Sequence, residues 1–375
     1  MISNSLRRSV FDWQIPAAVA SLGVIGVSLL RAYPQFKEVK RDVGELVPES
    51  IPPALDKARV TTSASEAEYV SRPGLEAQIN TFLDSSKNVS YCVVYGAKGV
   101  GKSEVVVHSA IGKRAVLKVP VTTIGTRDDL VALLMETLTG KKSYLKIVKL
   151  IEVLKKCQVG GFIPTVIFDV ERGSSSERTG LLQDVSSLAK ALIGYCRCII
   201  VLSEANAVLE FGKDPDREEF IFVDEMTFSE AKHFLQVRGG KFSDEEMQNI
   251  FDKVGTSPAR LIKLMNYVQN RNTTLKDCVD GILRVAHQDL LKFQLQPILK
   301  ALKEHPDGVS PDYFKKQKYE GIDLSNPGAV GCAMKRSNAI IYRIELEKYQ
   351  LMSVAHKTAL KTYTPIIDNS YATPK

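Results

Sequence analysis

The sequence has few of the residues that build metal and redox centres. Among its 375 residues are six cysteines, five histidines and a single tryptophan. The two closely spaced cysteines, Cys196 and Cys198, lack the C-x-x-C spacing of a zinc or redox site. The histidines show no metal-ligand spacing either. These absences argue against a Cys/His metal centre, and we interpret the cysteines as reduced thiols in a reducing compartment.

The sequence also lacks a strong charge imbalance, internal repeats and long low-complexity tracts. Its net charge is +7, with 44% apolar and 25% charged residues. This composition is ordinary for a globular protein and argues against wholesale disorder. The mildly basic balance is compatible with nucleic acid or an anionic membrane surface without indicating either. The length suggests two or three domains.

Charge is absent from residues 13–30. As a helix this segment would be about 27 Å long, close to the ~30 Å hydrocarbon core of a bilayer. Three alternatives stay open: a cleaved secretory signal, a mitochondrial presequence that runs into an inner-membrane anchor, and a soluble amphipathic or buried helix. We predict a single-pass membrane anchor in residues 1–35. More basic residues follow the segment than precede it, which favours an orientation with the C-terminal part in the cytosol or the mitochondrial matrix.

One stretch predicts a specific chemistry. It reads Gly96-Ala97-Lys98-Gly99-Val100-Gly101-Lys102-Ser103 and lies between an apolar strand-like run and a helix-like segment. Glycines let the backbone N–H groups turn inward, and the following helix offers its positive end to an anion. The stretch resembles the phosphate-binding loop of P-loop NTPases, the alternative being a glycine-rich turn that matches by chance. The resemblance implies that these eight residues bind a nucleoside triphosphate, with Lys102 on the β- and γ-phosphates and Ser103 as a Mg²⁺ ligand.

A second stretch, residues 164–171, predicts a hydrophobic strand that ends in acidic residues. It resembles the Walker B strand of the same proteins, which implies that Asp169 holds Mg²⁺ and that Glu171 activates the attacking water. In the usual form the two acids are adjacent, whereas here Val170 separates them. Residues two apart on a strand share a face, so Glu171 can still reach the site. The alternative is a strand end with solvated acids.

Apolar runs recur at the spacing of an α/β fold, with five predicted strands and intervening helices. The order resembles the additional-strand division of P-loop ATPases, and specifically the STAND and archaeal ATPases of the AAA+-like group. This implies a three-layer sandwich around a five-stranded parallel sheet (65–225), preceded by a proline-containing linker (36–64) and followed by a helical lid (226–285). The segment that contains Arg72, Leu75 and Glu76 resembles the one that packs near the adenine in these proteins; the alternative is a plain helix start.

The same resemblance implies roles for two further residues. Ser203 ends the fourth predicted strand at the sensor-1 position, where it would contact the γ-phosphate or the attacking water; the alternative is an ordinary strand-terminating serine. Residues 255–261 resemble the G-x-P element that opens the lid helix, with Ser257 as N-cap and Pro258 as first helical residue. One extra residue separates the glycine from the proline. Arg260 would then be a sensor-2 arginine, or else a surface arginine.

Residues 286–366 follow a different pattern, with helices and then a predicted strand pair. A leucine-rich stripe from Leu290 to Leu302 predicts one long helix, residues 311–314 and 327–335 predict two shorter ones, and residues 339–344 and 348–353 predict two strands. This order resembles a winged-helix domain, with residues 367–375 as a tail. Winged helices bind DNA in many proteins. We favour a role in packing or autoinhibition, because a membrane anchor would hold the protein away from most DNA.

The sequence therefore predicts a membrane-anchored, Mg²⁺-dependent ATP-binding protein that hydrolyses ATP as a switch. ATP is favoured over GTP because no N-K-x-D-like guanine motif follows the fourth strand. Two alternatives stay open: an ATP-gated nucleic-acid-binding protein, and a scaffold that binds nucleotide without hydrolysing it. A homo-oligomer or a protein partner is compatible with either.

Overall fold

The computed structural model describes residues 68–363, apart from 86–89, 112, 114, 122–125, 140–145, 160–162, 171–178, 203–204, 212–215, 272, 316 and 338. The predicted anchor (1–35), the linker (36–64), the tail (367–375), Glu171 and Ser203 lie outside the described residues. Among those that are described, no helix is long and apolar enough to cross a membrane.

A parallel sheet of five strands forms the centre of the ATPase-like part. The strands are β1 (Tyr91–Gly96), β2 (Val116–Val121), β3 (Thr165–Val170), β4 (Arg197–Leu202) and β5 (Glu218–Val223). Their spatial order is β2-β3-β4-β1-β5, so β4 lies between the strand before the glycine-rich loop and the strand that carries Asp169. Every residue of β1 and β3 is buried, which explains why both read as continuous apolar runs.

Helices cover both faces of this sheet, and the predicted three-layer α/β sandwich is confirmed. One face packs against α1 (Pro73–Asp84) and α2 (Lys102–Ala110), which share a core with the sheet. The other face packs against α3 (Arg127–Thr139), α4 (Ile147–Val159) and α5 (Thr179–Leu192). The cysteine side chains that the structure describes are buried and form no disulfide with one another: Cys92, Cys196, Cys198 and Cys278.

Three helices follow the sheet, as predicted for the lid: α6 (Phe228–Val237), α7 (Asp244–Val254) and α8 (Pro258–Arg271). Thr227 and Ser243 begin α6 and α7 with complete capping boxes, in which each side chain and a glutamate three residues later bond to the backbone reciprocally. These helices and the elements that follow share one hydrophobic core. The division into a lid and a C-terminal domain stays a prediction.

The prediction of one long helix through the leucine-rich stripe was wrong. The structure has two helices, α9 (Leu275–Lys292) and α10 (Gln296–Glu304), with a break between them. Pro297 provides the physical reason, because its nitrogen carries no hydrogen and its ring would clash with the carbonyl of Phe293 in a continuous helix. Phe293 instead has an extended backbone and a completely buried ring.

The remaining elements match the predicted order of helices and a strand pair. They are a 3₁₀ turn (Pro311–Phe314), the short strands β6 (Lys318–Tyr319) and β7 (Ile322–Asp323), α11 (Pro327–Ser337), the strands β8 (Ile340–Arg343) and β9 (Lys348–Leu351), and α12 (Val354–Thr362). Strands β8 and β9 form an antiparallel hairpin, and a bridge joins Val309 to Tyr349 at its edge. The β6–β7 pair and α12 were not foreseen.

Candidate functional site

The glycine-rich loop lies between the carboxyl end of β1 and the start of α2, as its sequence predicts. Two of its glycines are required by close approach. A Cβ on Gly96 would collide with the carbonyl oxygen of Val223 on the neighbouring strand, and one on Gly99, whose φ is +82°, would lie 2.5 Å from the Ala259 Cβ. The loop is therefore held between β5 on one side and the beginning of α8 on the other.

Lys102 is buried, with 6% of its surface exposed. Its Nζ donates to the carbonyl oxygens of Ala97, at 2.8 Å, and Gly96, at 3.1 Å. Burial lowers the pKa of Lys102 to about 8, and the nearby carboxylate of Asp169 opposes this shift. The ammonium is thus enclosed by its own loop, where phosphate oxygens would be stronger acceptors than the two carbonyls.

Ser103 and Asp169 come together from different elements. The Ser103 Oγ at the start of α2 donates to Asp169 Oδ1 at the end of β3, at 3.0 Å. A hydroxyl and a carboxylate oxygen are hard ligands of the kind that Mg²⁺ accepts, with phosphate oxygens and water completing its octahedron. Among the described residues no cluster of three or more Asp, Glu, His or Cys side chains could hold a metal alone. The residues present fit a magnesium ion that arrives with a nucleotide.

A lysine that the sequence analysis missed also contacts Asp169. The Lys118 Nζ on β2 lies 2.9 Å from Asp169 Oδ2. Pro120 is the register partner of Asp169, and Lys118, two residues earlier, is on the same face of the sheet. The available signal was a charged residue in the otherwise uncharged strand Val-Leu-Lys-Val-Pro-Val.

The first turn of α8 rests directly on the glycine-rich loop. The Ser257 Oγ and the Ala259 backbone N–H both donate to the Gly99 carbonyl oxygen, each at 3.1 Å. Pro258 is the first helical residue, as predicted. The Ser257 hydroxyl, expected to cap this helix, donates instead to the loop. The residues proposed to open the lid helix therefore contact the phosphate-binding stretch itself.

Arg260 is positioned differently from the other predicted ligands. Its Nη1 donates to Glu225 Oε1, at 2.7 Å, and to the Val254 carbonyl oxygen, at 3.4 Å. Burial raises the pKa of Glu225, and Arg260 opposes that shift. The described contacts of the Arg260 guanidinium join it to Glu225 and α7, not to the glycine-rich loop.

A cavity of about 230 Å³ adjoins the loop. Its walls come from the segment before α1, from the loop and α2, and from the lid; they include Tyr69, Val70, Val105, Phe234, Pro258 and Ile262. Arg72 fixes one side, because its guanidinium donates to the carbonyl oxygens of Val100, at 3.1 Å, and Asp224, at 2.9 Å. The predicted adenine-side segment thus lines an apolar cavity beside the loop.

An aromatic stack stabilises the same wall. The rings of Tyr69 and His108 lie 3.6 Å apart and are nearly parallel, at 7°. The Tyr69 hydroxyl donates to Glu76 Oε1 at 2.7 Å. Burial and this hydrogen bond raise the pKa of Tyr69, so the phenol stays neutral. The sequence analysis singled out Glu76 but missed the stack.

The C-terminal hairpin contacts the strand that leads into the loop. The Tyr95 hydroxyl donates to a carboxylate oxygen of Glu345 and accepts from the Ile344 backbone N–H at 3.1 Å. The Arg343 guanidinium lies 3.5 Å above the ring of Phe222 on β5. The turn between β8 and β9 therefore packs against the five-stranded sheet. Its contact there is Tyr95, the residue before Gly96.

Comparison with solved structures identifies the fold. The chain is similar to a Walker-type ATPase of Pyrococcus abyssi, with 16% sequence identity, a TM-score of 0.51, and coverage of 82% of this chain and 99% of that one. The fold is therefore that of the Walker-type P-loop ATPases. No protein-family model matches the sequence, and neither does any curated protein.

Two weaker similarities are to other ATPase structures. A STAND protein with a tetratricopeptide repeat sensor from Pyrococcus horikoshii gives 12% identity and a TM-score of 0.38, over 83% of this chain and 44% of that one. Domain III of the replication initiation protein DnaA from Thermotoga maritima gives 16% identity and a TM-score of 0.35, over 59% of this chain and 96% of that one. At these scores neither adds to the assignment of the fold.

Proposed function

We propose that this protein binds ATP with Mg²⁺ and hydrolyses it as a conformational switch. The observation that carries the proposal is the convergence of Lys102, Ser103 and Asp169 at the carboxyl end of a parallel sheet. Lys102 and Ser103 begin α2 and Asp169 lies on β3, so residue types required by phosphoryl chemistry come from two elements and meet where α/β sheets bind their ligands. A structural role would not require a buried ammonium and a hydroxyl at the start of α2 beside a carboxylate of β3.

Each residue has a distinct role in this proposal. Residues 96–103 hold the phosphates through their backbone N–H groups, and Lys102 binds the β- and γ-phosphate oxygens. Ser103 and Asp169 hold Mg²⁺, which supplies charge stabilisation for the transferring phosphoryl group when bound. Glu171 orients and deprotonates the attacking water, and Ser203 contacts the γ-phosphate or that water. Arg260 reaches the phosphates only after it leaves Glu225.

Hydrolysis is tested with the purified chain and its Glu171→Gln variant. We expect the wild-type chain to bind ATP and release phosphate, and the variant to retain ATP binding but to lose turnover about 100-fold, because it lacks the base. Phosphate release and equilibrium ATP binding are measured side by side. Tight binding without wild-type turnover would support the non-hydrolysing scaffold instead. The absence of ATP binding would contradict the proposed function.

The cavity beside the loop is proposed as the adenine site. Its walls are mostly apolar, which suits a planar base, and Glu68, Glu104 and Arg238 also line it. Its position next to Val100 and Gly101 puts a base within reach of phosphates on the loop. Replacing Ile262 with tryptophan should fill much of the cavity and weaken ATP binding at least about 10-fold. Binding of inorganic tripolyphosphate, which has no base, should be unchanged.

The matched control for this substitution is Leu291→Trp, which adds the same ring to an exposed position on α9. It should change the affinity for neither ATP nor tripolyphosphate. Isothermal titration calorimetry with ATP, GTP and tripolyphosphate provides the measurement, and ATP should bind more tightly than GTP. If the Ile262→Trp variant lost affinity for ATP and for tripolyphosphate equally, the cavity would not be the site of the base.

The switch is proposed to act through the lid. Gly99 accepts hydrogen bonds from Ser257 and Ala259, so a shift of the loop on nucleotide binding or hydrolysis would be transmitted to the start of α8. The contact of Tyr95 with the β8–β9 turn links the C-terminal elements to the same loop. This packing supports an intramolecular role for the winged-helix-like segment (286–366) over contact with nucleic acid.

The N-terminal segment is proposed as a single-pass membrane anchor, with the ATPase part facing the cytosol or the mitochondrial matrix. The uncharged run of residues 13–30 and the distribution of basic residues around it support this part of the proposal. A membrane-anchored switch would act on a protein partner or a second copy of itself. Partition of the full-length chain into membranes, and its loss when residues 1–35 are deleted, tests the anchor.

A further inference from the structure

Both oxygens of the Asp169 carboxylate have a partner within the protein. Oδ1 accepts from Ser103, at 3.0 Å, and Oδ2 lies 2.9 Å from the Lys118 ammonium. The ion pair is sheltered, since 11% of the Asp169 side chain and 22% of the Lys118 side chain are exposed. An ammonium therefore lies against the same carboxylate that is proposed to hold the divalent cation.

Lys118 is one of two ammonium groups that act on Asp169. Lys102 also interacts electrostatically with this carboxylate. A Mg²⁺ ion that binds Ser103 and Asp169 would be repelled by Lys118 at short range, because charges in a partly buried site are weakly screened. A nucleotide without Mg²⁺ carries more negative charge and would be attracted by the ammonium groups of Lys102 and Lys118.

We propose that Lys118 is an internal counter-cation of Asp169 that competes with Mg²⁺ and sets the magnesium dependence of nucleotide binding. The inference rests on the proposed ATP site and assigns it a regulating residue. With Lys118 on Asp169, the loop binds ATP with little help from Mg²⁺. When Mg²⁺ enters, it displaces the ammonium from the carboxylate. Lys118 is thus a positioning residue, which acts through the occupancy of Asp169.

The test is calorimetric titration of the full-length chain with ATP, in excess EDTA and in a series of MgCl₂ concentrations. For the wild-type chain we expect dissociation constants in EDTA and in saturating MgCl₂ to agree within about 5-fold. In the Lys118→Met variant, which keeps an unbranched side chain one atom shorter and without charge, binding in EDTA should weaken on the order of 10-fold. The MgCl₂ concentration at half-maximal effect should fall several-fold in the same variant.

Two further variants separate this role from ordinary structural pairing. Lys118→Arg keeps the charge and should keep the wild-type ratio of the two dissociation constants. Lys190→Met removes another lysine–carboxylate pair of the ATPase-like part, with the buried Glu218 at 3.3 Å, at the opposite end of the sheet from the loop. It should change thermal stability but leave the ratio unchanged.

Several outcomes would overturn the inference. The first needs no variant: a wild-type chain whose affinity for ATP is more than about 100-fold lower in EDTA than in saturating MgCl₂ would overturn it. Equal ratios in the wild-type and Lys118→Met chains would show that the ion pair is only structural, with the ATP site intact. A wild-type chain that binds no ATP in either condition would overturn both this inference and the proposed function.

Discussion

Replacing Lys102 with alanine is expected to weaken ATP binding on the order of 100-fold. The ammonium is buried at the loop, and its acceptors are the two carbonyl oxygens of Gly96 and Ala97. A triphosphate would provide charged acceptors at this position, and hydrogen bonds between ionised groups are the stronger kind. Alanine removes that interaction and leaves the backbone of the loop in place. Equilibrium binding of ATP in MgCl₂ measures the loss.

The fold should survive this substitution. Without nucleotide we expect the free energy of unfolding to change by about 1 kcal/mol or less, because the lost hydrogen bonds are offset by no longer burying an ammonium. The rise in melting temperature on adding Mg-ATP to the wild-type chain should disappear in the variant.

Lys98 offers a matched control, since it belongs to the same loop and is exposed. Lys98→Ala deletes an equal charge and should change ATP affinity by about 3-fold or less. If both variants lost affinity equally, the loop would attract nucleotide through its net charge alone. Lys102 would then have no specific phosphate contact.

The parts of the site that were predicted from sequence are those encoded locally. The glycine-rich loop is a continuous stretch whose glycines are fixed by backbone geometry, as the close approaches at Gly96 and Gly99 show. Asp169 ends a strand that reads as one apolar run because helices bury both of its faces. Ser257 and Pro258 were found through the preferences of helix beginnings.

The contacts that were missed join residues far apart in the chain. Lys118 meets Asp169 because β2 and β3 are neighbours in register, which the spacing of apolar residues does not reveal. Tyr95 and Glu345 are 250 residues apart, and their contact depends on how the C-terminal hairpin docks. The break at Pro297 is a different case, since its signal is local: a proline lies inside the leucine-rich stripe and interrupts the helix.

These long-range contacts surround the glycine-rich loop on several sides. Strand β5 lies against Gly96, and the start of α8 donates a hydrogen bond to Gly99. The β8–β9 turn forms a hydrogen bond with Tyr95. A change in the conformation of the loop would therefore alter its contacts with the lid and with the C-terminal elements together. This arrangement is the physical basis for proposing a switch and not a simple nucleotide store.

The Gly96→Ala substitution is expected to destabilise the protein by about 3 kcal/mol or more. Gly96 ends β1 and is paired in register with Val223 on β5. An added methyl group would overlap the Val223 carbonyl oxygen and lie 3.1 Å from its carbonyl carbon. Because these are backbone atoms of the neighbouring strand β5, no side-chain rotation can relieve the clash, and the strands must separate.

Gly74→Ala is the control, because a methyl group at this position in the first turn of α1 would meet no heavy atom within 4 Å. It should leave stability unchanged or raise it by up to about 1 kcal/mol, since alanine favours helix more than glycine does. Urea unfolding followed by circular dichroism compares the two variants with the wild-type chain. Equal midpoints for Gly96→Ala and Gly74→Ala would contradict the tight packing of β1 against β5. A Gly96→Ala chain that is folded at low temperature should also bind ATP more weakly, because the displaced Gly96 and the adjacent Ala97 carry the two carbonyl groups that accept from Lys102.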